Sequence, residues 1–466
     1  MNVNPAMNQS DATTLTAPVE HKRFIVNVDT VVASILIFLH IALPLDLGVP
    51  GLNLGKTISP SIAASLFSFI IIWYTSRGKV FQGFRKPFAA LFSVFILLLV
   101  VEVFQAPDAF IAMSHDLRMY FVFVVNYVIF VYLVERYGYR WMTRTILIGG
   151  CYAAVLAIGE IAVGRIPIYQ KFAEAAMAAG VDTDSSSGIG VDFFRASGTM
   201  GNPIFMSILM GVCIPFVFEL RSSILRFLII ALLLGGAAAT ISRTIGLCLI
   251  VLMIGCSLVY IRKFWIAMGS IVGAFALVVV IAGDALTQEP HVMVWEERLG
   301  LASSSGSSGS DANVVLRANN SKMLIQQVTE HSNPLQVLFG HGSWTAGWIA
   351  KTEDGGFGTA DDTPVTIVYE EGVIGIFLFY GVFIYSLWKS RRYARKTLHW
   401  YNGFALVACG FGTNFEVLSM FNIVAVASIA IVTASKIGGS SEPSLLLKEV
   451  DSIPETPSLE PAVSRE

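Results

Sequence analysis

Charged residues are scarce in this sequence. Of its 466 residues 14% are Asp, Glu, Lys or Arg and 55% are hydrophobic, whereas a soluble globular domain carries about 25% charge. The apolar residues fall in runs of about twenty, and a helix of that length crosses the hydrocarbon core of a bilayer. The composition therefore argues against an ordinary soluble protein and predicts an all-α, polytopic membrane protein. The formal net charge of −2 gives no indication of a nucleic-acid partner.

Cysteine and metal-ligand patterns are also sparse. An odd number of cysteines, none in a long polar loop, argues against a disulfide framework. We expect them to act as small hydrophobic residues in helix packing. No His or Cys spacing is typical of a metal site, so neither a metal nor a cofactor is expected. The five cysteines all lie in apolar runs: Cys151, Cys213, Cys248, Cys256 and Cys409.

Twelve apolar runs are predicted to be membrane spans, with no repeat relating the two halves. The first twenty residues are polar and lack the charge, short apolar core and cleavage site of a signal peptide. The first apolar run is too long for a cleaved signal, so we expect it to remain as an anchor. The spans lie at 24–45, 59–76, 87–104, 119–135, 142–163, 200–219, 225–241, 244–261, 264–283, 364–387, 399–413 and 417–434.

The basic residues indicate how these spans are oriented. With a cytoplasmic N-terminus, 21 of the 31 Lys and Arg residues fall in cytoplasmic segments, although the two longest loops are then external. Cytoplasmic loops of membrane proteins carry such an excess of positive charge. The alternation requires a tight turn at Ser242 and Arg243, between spans seven and eight. Both termini are therefore predicted to be cytoplasmic.

The chain is thus predicted to have five parts. A cytoplasmic segment, 1–23, precedes spans one to nine within 24–283. A large external loop, 284–363, separates these from spans ten to twelve within 364–434. The tail, 435–466, is rich in Ser, Pro and Glu and is predicted to be disordered. A loop as long as 284–363 is usually functional or disordered.

The external loop carries two features of ordered structure. Apolar residues in ANVVLRANNSKMLIQQVTEH (312–331) recur at the spacing of an amphipathic helix, which would lie on the membrane or on the helix bundle. The Gly-rich sequence LFGHGSW (338–344) follows and predicts a turn. Both features suggest a loop that covers part of the bundle.

Three arginines on the external side are candidates for anion binding. Arg195 precedes span six within RASGTMGNP, Arg243 lies in the turn SRT, and Arg317 is in the loop helix. The guanidinium fork matches phosphate oxygens, and glycines beside Arg195 would let the backbone approach a ligand. The alternative for each arginine is an interfacial position or a helix-capping contact.

Paired acids begin span ten. Asp361 and Asp362 stand at its N-terminus, where a carboxylate caps a helix and meets the positive end of its dipole. Capping requires one acid, which leaves the second free to accept a proton. Glu370 and Glu371 follow one to two turns deeper in the span, and we expect one of them to face the bundle interior.

His341, between two glycines of the external loop, is a candidate base near neutral pH. A surface histidine without a catalytic role is the alternative interpretation.

The order of these motifs resembles the O-antigen ligase and polymerase superfamily. RASGTMGNP is followed by SRTIGL, then by the external loop ending in GHGSW, then by DDTPVTIVYEEGVIGIFLFYG. The resemblance covers about residues 190–390. Arg243 and Leu247 match an Arg-x-x-x-Leu ligase motif. A second ligase motif, with a leading His, fits in spacing through Gly372 and Gly375, but Asp361 replaces the His. Asp at this position is typical of repeat-unit polymerases, so a polymerase is favoured.

The resemblance implies a bacterial inner-membrane glycosyltransferase with a periplasmic active site. Its substrate would be a polyprenyl-diphosphate-linked oligosaccharide of an exopolysaccharide, capsule or O-antigen, and its expected partner proteins are a flippase and a chain-length regulator. Arg195 and Arg243 would stabilise the leaving diphosphate, and Arg317 would hold the incoming chain or the second diphosphate. Asp361 or Asp362 would take the acceptor proton, with His341 as second choice.

Two other functions remain open from the sequence. A ligase would transfer finished polymer to a lipid A core or a protein. A secondary transporter would suit twelve spans, but transporters usually place coupling acids near the midplane and contain paired repeats, whereas the charged residues here lie near the external edge.

The predicted orientation can be tested by labelling single cysteines in intact cells. A membrane-impermeant maleimide should label Ser308→Cys, in the external loop, above the background of the parent protein. Ser452→Cys, in the tail, should react only after lysis. Labelling of the tail but not the loop in intact cells would contradict the orientation.

Overall fold

The computed structural model shows an all-α protein within the residues that it describes. These residues are 27–42, 60–81, 85–106, 109, 122–163, 196, 198–200, 203–240, 242, 244–259, 269, 273, 319–342, 345–346, 363–393, 396–409, 423–424 and 426–434. No β-sheet occurs among them. The predicted fold class is thereby confirmed at the level of an all-α chain.

The helices follow the apolar runs of the sequence. Short 3₁₀ turns cover Lys79–Phe81, Gly198–Met200 and Arg391–Tyr393. The helices are α1 (Val28–Ala42), α2 (Pro60–Ser76), α3 (Arg85–Gln105), α4 (Val122–Tyr137), α5 (Arg140–Val163), α6 (Pro203–Val217), α7 (Ser223–Ala239), α8 (Thr244–Val259), α9 (319–326, continued by a π-helical turn at Gln327–His331), α10 (Pro334–Phe339), α11 (Thr363–Lys389), α12 (His399–Cys409) and α13 (426–434).

Two helical stretches, Arg140–Ile161 and Pro364–Gly381, are long and apolar enough to cross a membrane. Several other apolar helices are shorter, between 10 and 17 residues. Apart from two residues, the predicted span 264–283 lies outside the described residues, as do the segments 1–23 and 435–466. The twelve-span topology and the domain boundaries therefore stay predictions.

Helix α6 lies at the centre of the bundle. All of its residues except Ile204 are buried, as expected for a helix that is apolar on every side. It packs against α5, α7, α8 and α12, while α1 packs on α5, and α2 packs on α1 and α4. Large apolar side chains such as Phe67 and Tyr74 of α2 point outward, 69% and 84% exposed, which suits a surface that faces lipid.

Small residues bring the central helices close together. A Cβ atom on Gly236 of α7 would lie 2.9 Å from Cα of Ala154 on α5, and one on Gly150 would lie 3.0 Å from Sγ of Cys213 on α6. Close contacts of this kind are typical of helix packing in membranes. The cysteines that the structure describes are free thiols, in agreement with their predicted packing role.

A buried amide links three helices of this core. The Nδ2 group of Asn402 on α12 donates to the Val212 carbonyl of α6 at 2.8 Å and to the Ser428 hydroxyl of α13 at 2.7 Å. Polar side chains inside an apolar bundle join helices through such bonds.

Helix ends that the sequence places on the cytoplasmic side meet in the structure. The hydroxyls of Thr75 and Tyr137, at the ends of α2 and α4, donate to the carboxylate of Asp29 at the start of α1. We call this end of the bundle the basic end, because it carries every described Lys and Arg side chain except Lys322. These residues are Arg77, Lys79, Arg136, Arg140, Arg144, Arg221, Arg226, Arg391, Arg392 and Lys396.

A polar contact joins the segment after α6 to α12 at the basic end. Nε2 of the buried His399 lies 3.6 Å from Oε1 of Glu219, two residues past the end of α6. The Tyr139 hydroxyl donates to Oε2 of Glu219 at 3.2 Å. Burial alone would raise the pKa of Glu219, but His399, Tyr139 and Arg140 together lower it.

We expect Glu219→Gln to lower the melting temperature at pH 7 by about 1–3 °C in detergent. Because the folded pKa lies below the unfolded value, this stabilisation is present above the unfolded pKa and is lost as the pH falls through the folded pKa. The difference from the parent protein should therefore shrink as the pH falls below the ordinary pKa of glutamate, about 4.3. The exposed Glu330→Gln is the control, and an equal loss at both pH values would contradict the assignment.

Candidate functional site

The structure describes the surroundings of the predicted site more fully than the site residues themselves. His341 is among the described residues. The other five predicted residues lie outside them: Arg195, Arg243, Arg317, Asp361 and Asp362.

The segments that flank two of the arginines are hydrogen-bonded to each other. Ala196, next to Arg195 in the chain, donates its N–H to the carbonyl of Ala239 at 3.2 Å. Ala239 ends α7, four residues before Arg243. The two arginine-bearing segments are thus joined at one end of the bundle, opposite the basic end.

A buried carboxylate fixes the first of these segments. Oε2 of Glu160, near the end of α5, accepts from the N–H of Gly198 at 2.7 Å. Gly198 has φ +51°, and a Cβ atom there would lie 2.7 Å from Cε of Met206. The turn is therefore held tightly between α5 and α6. No role was predicted for Glu160 from the sequence. An acid inside an apolar run nevertheless indicates a buried polar contact.

Helix α11 is broken at Gly372. This residue has φ 69° and ψ −165°, outside the helical region. A break interrupts the ladder of i to i−4 hydrogen bonds, so carbonyls just before it need other donors. The predicted span 364–387 lies within this helix, and the structure shows that two helical pieces meet there at a glycine with positive φ.

The Gly-rich turn after α10 supplies those donors. The N–H of His341 donates to the Tyr369 carbonyl at 2.9 Å, and the N–H of Gly342 donates to the Glu370 carbonyl at 2.8 Å. The two backbones approach so closely that a Cβ atom on Gly340 would lie 2.0 Å from the backbone carbonyl oxygen of Glu370. We call residues 340–342, docked on the break, the glycine latch.

The break and the latch fit together through glycine on both sides. A Cβ atom on Gly372 would lie 2.4 Å from the carbonyl carbon of Leu338 and 2.6 Å from N of Gly340. Gly342 closes the other side, because a Cβ there would lie 2.6 Å from Cβ of Ala106, just past the end of α3. The latch is thus confined between α3 and α11.

The side chain of His341 is held by both ring nitrogens. Its ring stacks on Tyr369, with centroids 4.4 Å apart and planes 7° apart. Nδ1 lies 3.1 Å from the Tyr369 carbonyl, and Nε2 lies 3.0 Å from Oγ of Ser332. Ser332 was not a predicted site residue, and no pattern in the sequence pointed to it.

Two buried carboxylates lie at the break. Glu370 and Glu371 are 5% and 0% exposed, whereas the sequence led us to expect that one of them faces the interior. Oε1 of Glu370 accepts from the N–H of Ala346 at 3.1 Å, which ties the loop beyond the latch to α11. Gly375 makes room for Glu371, since a Cβ atom there would lie 2.8 Å from Oε2 of that acid.

The predicted amphipathic helix packs on the bundle. Leu324 of α9 is buried with Ala346 and Tyr369, and Val328 and Val365 pack against them. Of the two positions that the sequence left open, the bundle is therefore the one observed for these residues.

Comparison of the chain with protein-family models and with curated proteins finds no match. Among the described residues, no group of three or more His, Cys, Asp or Glu side chains is arranged to hold a metal ion.

We expect Gly372→Ala to destabilise the protein by about 1–3 kcal/mol, because alanine is strained at φ 69°, and its Cβ would also collide with the latch. Gly381→Ala is a matched control in the same helix, where a Cβ atom would meet nothing within 4 Å. Thermal unfolding in detergent and limited proteolysis of residues 330–360 would measure both effects. Equal behaviour of the two variants would contradict the docked geometry.

Proposed function

We propose that this protein is an inner-membrane glycan polymerase of the O-antigen ligase and polymerase superfamily. It transfers a polyprenyl-diphosphate-linked oligosaccharide onto another lipid-linked repeat unit of an exopolysaccharide, capsule or O-antigen. The active site lies on the periplasmic side, opposite the basic end of the bundle. A flippase would deliver the lipid-linked units, and a chain-length regulator would act beside the polymerase.

The docking of the glycine latch on the broken helix is the observation that carries this proposal. The resemblance rests on the spacing from Asp361 to Gly372 and Gly375. In the structure, Gly372 forms the break that receives the latch, and Gly375 makes room for a buried acid. The motif glycines thus join the loop of the latch to α11, whose first residue, Thr363, directly follows the paired acids in the sequence. This supports a covered reaction site.

The arginines are assigned to the leaving group. As the glycosidic bond between the donor sugar and its diphosphate breaks, negative charge grows on the diphosphate oxygens. Arg195 and Arg243 would stabilise that charge more strongly in the transition state than in the ground state. The hydrogen bond between Ala196 and Ala239 supports a shared role, because it joins their two chain segments. Arg317 would hold the second diphosphate or the incoming chain.

The acids are assigned to the acceptor. The acceptor hydroxyl forms the new bond to the donor sugar and gives up its proton to a carboxylate. Asp361 or Asp362 takes that proton, and the loop excludes the water that would otherwise hydrolyse the donor. His341, the second choice from the sequence, has both ring nitrogens engaged by Ser332 and Tyr369, so the acids are favoured as proton acceptors. No metal is required in this scheme, since the guanidinium groups neutralise the diphosphate.

A ligase is the second candidate function. It is favoured by Arg243 and Leu247, which match the Arg-x-x-x-Leu motif. Deletion of the gene would separate the two: loss of a polymerase leaves single-unit product, and loss of a ligase leaves unattached polymer. The third alternative, a secondary transporter, has no supporting contact among the described residues.

Replacement of either arginine should reduce both the amount and the length of the polymer. Arg195→Lys and Arg243→Lys keep the charge but lose the bidentate fork, so we expect at least a tenfold loss of polymer at unchanged protein level, which corresponds to about 1.4 kcal/mol of transition-state stabilisation. Arg221→Lys, exposed at the basic end, is the control. Polymer of parental length from both test variants would remove the diphosphate role.

Asp362→Asn distinguishes a base from a helix cap, because asparagine caps a helix as well as aspartate does. If Asp362 takes the proton, the variant should be normally folded but lose most of its polymerisation in a gel assay of chain length. The same substitution at Asp361 tests the other member of the pair. Full activity of both single variants would refute the base assignment.

A further inference from the structure

Helix α11 carries an exposed apolar stripe that runs toward the basic end. The side chains of Phe377, Ile384 and Trp388 are 70%, 57% and 60% exposed. Their spacings of seven and four residues place them on one face of the helix. The stretch Pro364–Gly381 of the same helix is long and apolar enough to cross a membrane, and the stripe continues beyond it. A face of this kind suits contact with acyl chains.

The stripe ends in an aromatic ring and a guanidinium group. Cζ of Arg391 lies 4.9 Å from the centroid of the Trp388 ring, within the range of cation–π attraction. Tryptophan is enriched where a membrane-spanning helix meets the headgroups, and arginine offers a planar fork to phosphate oxygens. The order along α11 is thus apolar, aromatic, cationic. A phospholipid has the matching order of acyl chain, glycerol backbone and phosphate.

The sequence around this arginine has a local excess of positive charge. Five of the eight residues 389–396 are Lys or Arg, and residues 372–415 contain no Asp or Glu. Arg391 and Arg392 are both exposed, in a 3₁₀ turn that packs on α11. Clusters of cations directly beside a membrane-spanning helix are typical of segments that bind anionic lipid headgroups.

Hydrogen bonds restrain the start of the turn that carries these two arginines. The Ser390 hydroxyl donates to the Leu387 carbonyl of α11 at 3.3 Å. Nε1 of Trp400, on α12, donates to the same carbonyl at 2.9 Å. Both bonds meet at the residue before Trp388, so the turn and the ring are held in register. Such restraint lowers the entropy that is lost when a ligand binds.

We propose that Trp388, Arg391 and Arg392 form a binding site for the headgroup of an anionic phospholipid, whose acyl chains lie along the exposed stripe of α11. Arg391 binds the phosphate through its fork, Trp388 packs at the level of the glycerol backbone, and Arg392 adds positive charge. The apolar stripe leads directly to the cations, which favours a lipid over free phosphate. The site lies at the basic end, away from the proposed reaction site, and does not depend on the proposed function.

The test measures lipid binding to the delipidated full-length protein in neutral detergent by native mass spectrometry. The probes are phosphatidylglycerol and phosphatidylcholine with identical acyl chains, and the parent protein should bind phosphatidylglycerol more tightly. A cation near the membrane surface contributes about fivefold to affinity. Arg391→Gln should therefore weaken phosphatidylglycerol binding by about fivefold, and the double variant with Arg392→Gln should weaken it further. Arg221→Gln removes one exposed cation elsewhere at the basic end and should have little effect.

Two further variants distinguish a built site from general attraction between charges. Arg391→Lys keeps the positive charge but loses the fork, and Trp388→Leu keeps an apolar side chain but removes the ring beside the guanidinium. Both should weaken phosphatidylglycerol binding, though by less than Arg391→Gln. The substituted side chains are all exposed, so the variants should melt at the temperature of the parent protein when no lipid is added.

Several results would overturn the proposal. Parental binding of phosphatidylglycerol by the double variant would remove the two arginines from the site. An equal loss in Arg221→Gln would show diffuse attraction instead of a defined site. Displacement of the lipid by inorganic phosphate at equal concentration would indicate free phosphate as the ligand. Equal binding of the two lipids by the parent protein would also contradict the proposal and favour an acidic protein as the partner of these cations.

Discussion

The arrangement of the candidate site depends on one backbone interaction, the docking of residues 340–342 on the broken turn of α11. A helix that ran straight through Gly372 would satisfy its own carbonyls and offer nothing to the loop. With the break, the carbonyls of Tyr369 and Glu370 accept from the loop instead. The position of the loop that contains residues 340–342 and the course of α11 thereby depend on the same two hydrogen bonds.

Polar contacts occupy the two ends of the bundle, and their chemistry differs. At the basic end, Asp29 accepts from the hydroxyls of Thr75 and Tyr137, and Glu219 lies beside His399. At the opposite end, buried carboxylates bind backbone N–H groups: Glu160 accepts from Gly198, and Glu370 accepts from Ala346. Acids that bind backbone turns thus lie at one end of the bundle, and most described Lys and Arg side chains lie at the other.

The sequence predicts the elements of this structure better than the contacts between them. Apolar runs of about twenty residues predict where most described helices lie, because an apolar run of this length is typical of a membrane-spanning helix. The loop helix was recognisable from its apolar spacing at Leu324 and Val328. The break at Gly372 was not recognisable from the sequence, because one glycine in an apolar run is also compatible with a continuous helix. Glu160 was missed because its partner, the N–H of Gly198, lies 38 residues away in the sequence. Ser332 was missed because no sequence pattern indicates its contact with the side chain of His341.

The same geometry changes the division of roles among the candidate catalytic groups. A base must present a free acceptor to the substrate, whereas both nitrogens of His341 are engaged by Ser332 and Tyr369. Glu370 is engaged as well, by Ala346. In the sequence, Asp361 and Asp362 stand eight to nine residues before Glu370. Because Glu370 and His341 contact the loop and its neighbours, the proposed role of proton acceptor is left to Asp361 and Asp362.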